Sequence, residues 1–76
     1  MMSSKKKTIH KNEYHLLIHK LINARKEAGL TQSDVSIKFK CSQSYISKIE
    51  NCQIRIDPIQ LKTFAELYKI DVFELI

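Results

Sequence analysis

Gly29 and Pro58 are the only glycine and the only proline among 76 residues, and each stands where a helix should stop or start. A chain with so few chain-breaking residues cannot supply the turns of an all-β fold or the loops of a disulfide-stapled scaffold, so it is expected to build helices. At this length one domain forms, burying only about 60% of the surface that its unfolded form exposes. Apolar residues, 43% of the sequence, must therefore be used efficiently.

Their spacing shows how. Tyr14, Leu17, Ile18, Leu21, Ile22 and Ala24 recur at three- and four-residue intervals, predicting an amphipathic helix from about Asn12 to Ala28 that Gly29 closes with a left-handed cap. Thr31, followed three residues later by Asp34, caps a short second helix over Gln32 to Phe39, with Val35 and Phe39 inward and Ile37 outward. Ser42 caps a third, Gln43 to Asn51. Asp57 with Pro58 is a strong start signal for a fourth helix, running to about Tyr68 on Ile59, Leu61, Phe64, Ala65 and Tyr68. Asp71 and Glu74 form another capping box, opening a final helical turn through Val72, Phe73, Leu75 and Ile76. The expectation is an all-α, compact five-helix bundle over residues 12–76, preceded by a flexible basic arm, residues 1–11, that lacks apolar periodicity.

Charge is unevenly distributed. Residues 1–56 carry eleven Lys/Arg against four Asp/Glu, a balance of +7, whereas residues 57–76 carry two against four, a balance of −2. Such asymmetry points to a polyanion facing the first three quarters of the chain. Lys5, Lys6 and Lys7 either follow a phosphate backbone or serve as a solubilising tail.

Several function classes are excluded. Cys41 and Cys52 have neither zinc-ligand spacing nor a disulfide framework, so reduced structural thiols in a cytoplasmic protein are expected, Cys41 buried and Cys52 more exposed. No apolar run is long enough for a membrane span or arranged as a signal peptide. His15 and His19 have the i, i+4 spacing of a metal site, but no carboxylate or thiol converges on them in sequence, so a solvated helix face is expected and no metal or cofactor. With no nucleophile and base pair or phosphate-cradling loop, the chain is not expected to be an enzyme.

The third helix is polar on one side. At 100° per residue, Gln43, Ser47, Asn51, Ser44 and Lys48 fall within an arc of about 140°, while Tyr45, Ile49 and Ile46 occupy the other side. The outward arc offers hydrogen-bonding groups and one cation, without an acidic residue. Such a helix suits the major groove of DNA.

The runs Gly29-Leu30-Thr31-Gln32 and Ser42-Gln43-Ser44-Tyr45-Ile46-Ser47-Lys48-Ile49-Glu50-Asn51 resemble the Xre or phage lambda repressor/Cro-type helix-turn-helix family, and the resemblance extends from about Leu17 to Ile76. It implies sequence-specific binding of double-stranded DNA, without catalysis, usually as a dimer on pseudo-palindromic half-sites. Gln43, Ser44 and Lys48, joined on the same face by Ser47, would read bases; a glutamine amide pairs with adenine and a lysine donates to guanine. Gln32 and Asn51, with nearby Lys38 and Lys40, would hold phosphates. Arg25 and Glu50 match an ion pair that ties the first helix to the third.

The sequence departs from the family at three positions. Lys40 stands where glycine is usual in the turn, which requires either a left-handed lysine, at about 1 kcal/mol, or a different turn. Ser36 replaces an alanine, and Cys52 a small residue or glycine. With no effector domain evident, a repressor acting by operator occlusion is expected. The alternative is an antitoxin that binds both DNA and a toxin protein, and a third possibility is a protein-interaction module that has lost DNA binding. Phe73, Leu75 and Ile76, apolar in an acidic segment, are the expected seam of a homodimer.

Overall fold

The computed structural model describes residues 2–76, with side chains described from Asn12 onward. Four α-helices follow one another: α1 (Met2–Glu27), α2 (Gln32–Phe39), α3 (Gln43–Glu50) and α4 (Pro58–Tyr68). A 3₁₀ turn, Val72–Glu74, comes last. The expected fifth helix is therefore this single turn, closed by i, i+3 bonds from Glu74 N–H to the Asp71 carbonyl (2.9 Å) and from Leu75 N–H to the Val72 carbonyl (3.0 Å). The backbone of α1 begins at Met2, ahead of the expected start at Asn12. The expectation of a basic arm with Lys5, Lys6 and Lys7 falls on side chains outside the described residues.

Each predicted N-cap is in place. Thr31, Asp57 and Asp71 form reciprocal capping boxes with Asp34, Gln60 and Glu74, and the Ser42 hydroxyl accepts the Tyr45 N–H at 3.1 Å. These bonds satisfy N–H groups that the first turn of a helix leaves unpaired.

The C-termini share a second device. Gly29, Lys40, Cys52 and Lys69 all have positive φ, 75°, 56°, 62° and 59°. After each, the next N–H reaches back to a carbonyl five residues earlier: Leu30 to Arg25, Cys41 to Ser36, Gln53 to Lys48 and Ile70 to Ala65. This is the Schellman closure, and here three of four are made without glycine. Of the two alternatives at Lys40, a left-handed lysine or a different turn, the chain adopts the left-handed lysine.

One core joins the helices. Ile18, Leu21 and Ala24 of α1 meet Val35 of α2, Ile46 and Ile49 of α3, and Phe64, Ala65 and Tyr68 of α4. Phe39 stacks on Phe64 with ring centroids 4.4 Å apart. Tyr14 and Tyr45 fasten the loop before α4 and its first turn: the Tyr14 hydroxyl accepts the Ile56 N–H at 3.2 Å, and the Gln60 amide donates to the Tyr45 hydroxyl at 2.9 Å.

Two expectations of burial are corrected. Ile59 is 74% exposed because it lies on the side of α4 opposite Leu61, Phe64, Ala65 and Tyr68, which share one stripe. Leu75, expected in a dimer seam, is 2% exposed and belongs to the core. In a 3₁₀ turn residues i and i+3 eclipse, so Val72 and Leu75 line up inward while Phe73 and Ile76, 75% and 71% exposed, line up outward.

Candidate nucleic-acid interface

The turn between α2 and α3 consists of Lys40, Cys41 and Ser42. Because Lys40 turns the chain and Ser42 immediately caps α3, the second helix leaves at an angle to the first. Ile46 and Ile49, essentially inaccessible, anchor α3 from beneath. Its opposite face is open: Gln43, Ser44 and Lys48 are exposed, and Ser47 is half-buried. Asn51 caps the helix, exposed, with its amide 3.4 Å from the Ser47 hydroxyl. The structure thus brings the four expected base-reading residues onto one accessible face. Lys38 and Lys40 are exposed beside it, at the end of α2.

Glu50, the last residue of α3, points inward. Its Oε2 accepts Arg25 Nε at 2.7 Å and its Oε1 accepts Arg25 Nη2 at 3.1 Å, the two-pronged pairing of a guanidinium with a carboxylate. The third arm, Arg25 Nη1, donates to the Leu30 carbonyl at 2.8 Å. Arg25 therefore holds both the end of α3 and the segment leading into α2. Both partners are nearly buried, and with Glu50 turned inward the exposed face of α3 carries no negative charge.

Gln32, the expected phosphate contact, is half-buried at the first position of α2, and its Nε2 donates to Glu50 Oε1 at 2.9 Å. Sequence reasoning missed this bond, since no local pattern links residues eighteen apart. Nearby, the Thr31 backbone N–H, with its hydroxyl, holds the Asp34 carboxyl below the usual carboxylate range. Burial pushes the Tyr68 phenol above the ordinary tyrosine range; the charge of Glu50 adds to this and Arg25 opposes it.

The remaining candidates fall elsewhere. His15 and His19 are exposed on α1, and among the described residues no three His, Cys, Asp or Glu form a group that could hold a metal ion. Cys41 and Cys52 are free thiols, both half-buried against the core, so Cys41 is more accessible than expected and Cys52 less. No helix among the described residues is long and apolar enough to cross a membrane.

Residues 21–75 match the profile of a family described as helix-turn-helix. A solved structure, an XRE-family like protein from Pseudomonas syringae pv. tomato str. DC3000, superposes with a TM-score of 0.85 at 35% sequence identity, covering 93% of this chain and 87% of that one. The chain belongs to the XRE-type helix-turn-helix family. No curated protein matches the sequence significantly. Members of this family are DNA-binding transcription regulators and not enzymes. In this XRE-type protein α2 and α3, joined by the short turn at Lys40 to Ser42, form the helix-turn-helix pair.

Proposed function

We propose that this helix-turn-helix protein is a sequence-specific transcriptional repressor that acts as a homodimer and occludes its operator. Gln43, Ser44, Ser47 and Lys48 enter the major groove and read bases, while Gln32, Asn51, Lys38 and Lys40 hold the phosphates on either side. The observation that carries this reading is the one-sidedness of α3: an apolar floor of Ile46 and Ile49, an inward-facing Glu50, and an outward face of donors and acceptors with one cation. A helix so anchored and so charged can approach a polyanion without desolvating a carboxylate.

Phe73 and Ile76, exposed side by side on the last turn, are the surface through which two copies would pair. To read two half-sites, such a dimer would have to hold its two reading helices about 34 Å apart, one turn of DNA.

Selection of bound sites from random duplex DNA tests the proposal. The expected product is a pseudo-palindrome, bound with an affinity that falls log-linearly with salt. Equal retention of all sequences would reject base reading, and asymmetric single sites would reject the dimer.

A further inference from the structure

The contact between Gln32 and Glu50 connects a surface group to a buried one. Glu50 is 8% exposed and held by two bonds from Arg25, which is itself anchored to the Leu30 carbonyl. Few side chains in so small a domain are as fixed. A carboxylate is an acceptor only, so the end of the Gln32 amide that faces it must be the NH2 group. One N–H is consumed at Glu50 Oε1. The other remains to donate outward at the start of α2, where the helix dipole already favours an anion.

Glu50 also adjoins Asn51 in the chain, the other proposed phosphate contact outside the lysines. Gln32 is bonded to Glu50 from one side and Asn51 follows it on the other. The spacing between these two contacts is thereby referred to a single buried carboxylate.

Resting on the DNA-binding reading above, we infer that Glu50 is a positioning residue for DNA: it holds the Gln32 amide in its phosphate-donating orientation before DNA arrives, in addition to fixing α3 through Arg25. Arg25 neutralises the carboxylate, so its charge does not repel the incoming phosphate. Without Glu50 the glutamine would sample several rotamers and lose that freedom only on binding.

A double-mutant cycle on the full chain tests this, with affinity measured on a duplex recovered by site selection. Gln32→Ala lowers affinity in the parent protein. In the Glu50→Gln background the neutral amide keeps one acceptor oxygen and turns an NH2 group toward either Arg25 Nε or the position that accepts both Arg25 Nη2 and Gln32 Nε2. Gln32 is then held less firmly, and the penalty for Gln32→Ala is expected to shrink by about two- to tenfold, the range for immobilising one long side chain. Arg25→Lys weakens the ion pair but leaves the Gln32 to Glu50 bond, so there the penalty should persist. A merely structural Glu50 would leave the penalty unchanged in both backgrounds, and that result overturns the inference.

Side-chain amide NMR of the DNA-free protein provides a reading independent of DNA affinity and of whether Glu50→Gln folds. A restrained Gln32 NH2 pair, with motion as limited as the backbone, supports the inference, whereas a pair as mobile as that of exposed Gln53 overturns it. A restrained pair in a protein that retains no duplex would mark the contact as purely structural. In that event the DNA-binding reading itself has failed.

Discussion

Lys40 and Lys69 adopt the same left-handed backbone conformation, φ 56° and 59°, and close α2 and α4 by the same pair of hydrogen bonds, although one borders the proposed DNA face and the other does not. Their backbones have the same role and their side chains different ones. A left-handed residue with a Cβ is strained by roughly 1–2 kcal/mol, part of which glycine returns as unfolded-state entropy. Lys69→Gly should therefore stabilise the fold by about 0.5–1 kcal/mol, raising Tm by several degrees, without changing DNA affinity. Lys40→Gly should stabilise similarly but weaken binding to all duplexes and lower the salt slope by about one. Thermal melts paired with salt titrations check both, and an unchanged salt slope in Lys40→Gly would remove that lysine from the phosphate contacts.

Lys48 stands one turn into α3 and is exposed, and on the proposed docking it reads a base edge. Its replacement by alanine should cost about 1–3 kcal/mol at one or two operator positions and relax preference there. Gln32→Ala should weaken every sequence alike. Binding to a randomised operator library separates the two, and uniform loss for Lys48→Ala would assign that lysine to the backbone instead.

Phe73 and Leu75 are two residues apart and face opposite ways. Phe73→Ser should shift the protein from dimer to monomer in light scattering with little change in thermal stability. Leu75→Ala removes core volume and should cost about 2–5 kcal/mol. A Phe73→Ser protein that remains dimeric would move the seam elsewhere.

The Asp34 carboxyl is held below its ordinary value of 3.8 by Thr31. Because its folded pKa is depressed, the stability it contributes is present in full above the unfolded value and is lost as pH falls through the folded one. Asp34→Asn should accordingly be less stable than the parent near neutrality, and the gap should close in acid, below pH 3.8. Urea titrations across that range measure it, and a gap independent of pH would mean that the charge is not what the capping box uses.

Much of this architecture lay in short-range chemistry. Thr31 with Asp34, Ser42, and Asp57 with Pro58 are N-terminal signals within four residues of the groups they satisfy, and the helices start where they say. Helical periodicity likewise separated Ile46 and Ile49 from Gln43, Ser44 and Lys48, because a residue's side of a helix depends only on its spacing. Arg25 and Glu50 were paired through resemblance rather than local pattern.

Other features depended on long-range packing or on small differences in turn geometry. Composition and periodicity could not distinguish a last α-helix from one 3₁₀ turn, and that choice sends Leu75 into the core while leaving Phe73 and Ile76 outside. Nor could they show that Gln32 meets Glu50, since that bond requires α1, α2 and α3 to be packed first, with Arg25 holding the carboxylate in place. Caps and stripes act over one or two turns and are written in the sequence; the orientation of a surface amide by a carboxylate eighteen residues away exists once the core has brought the two together.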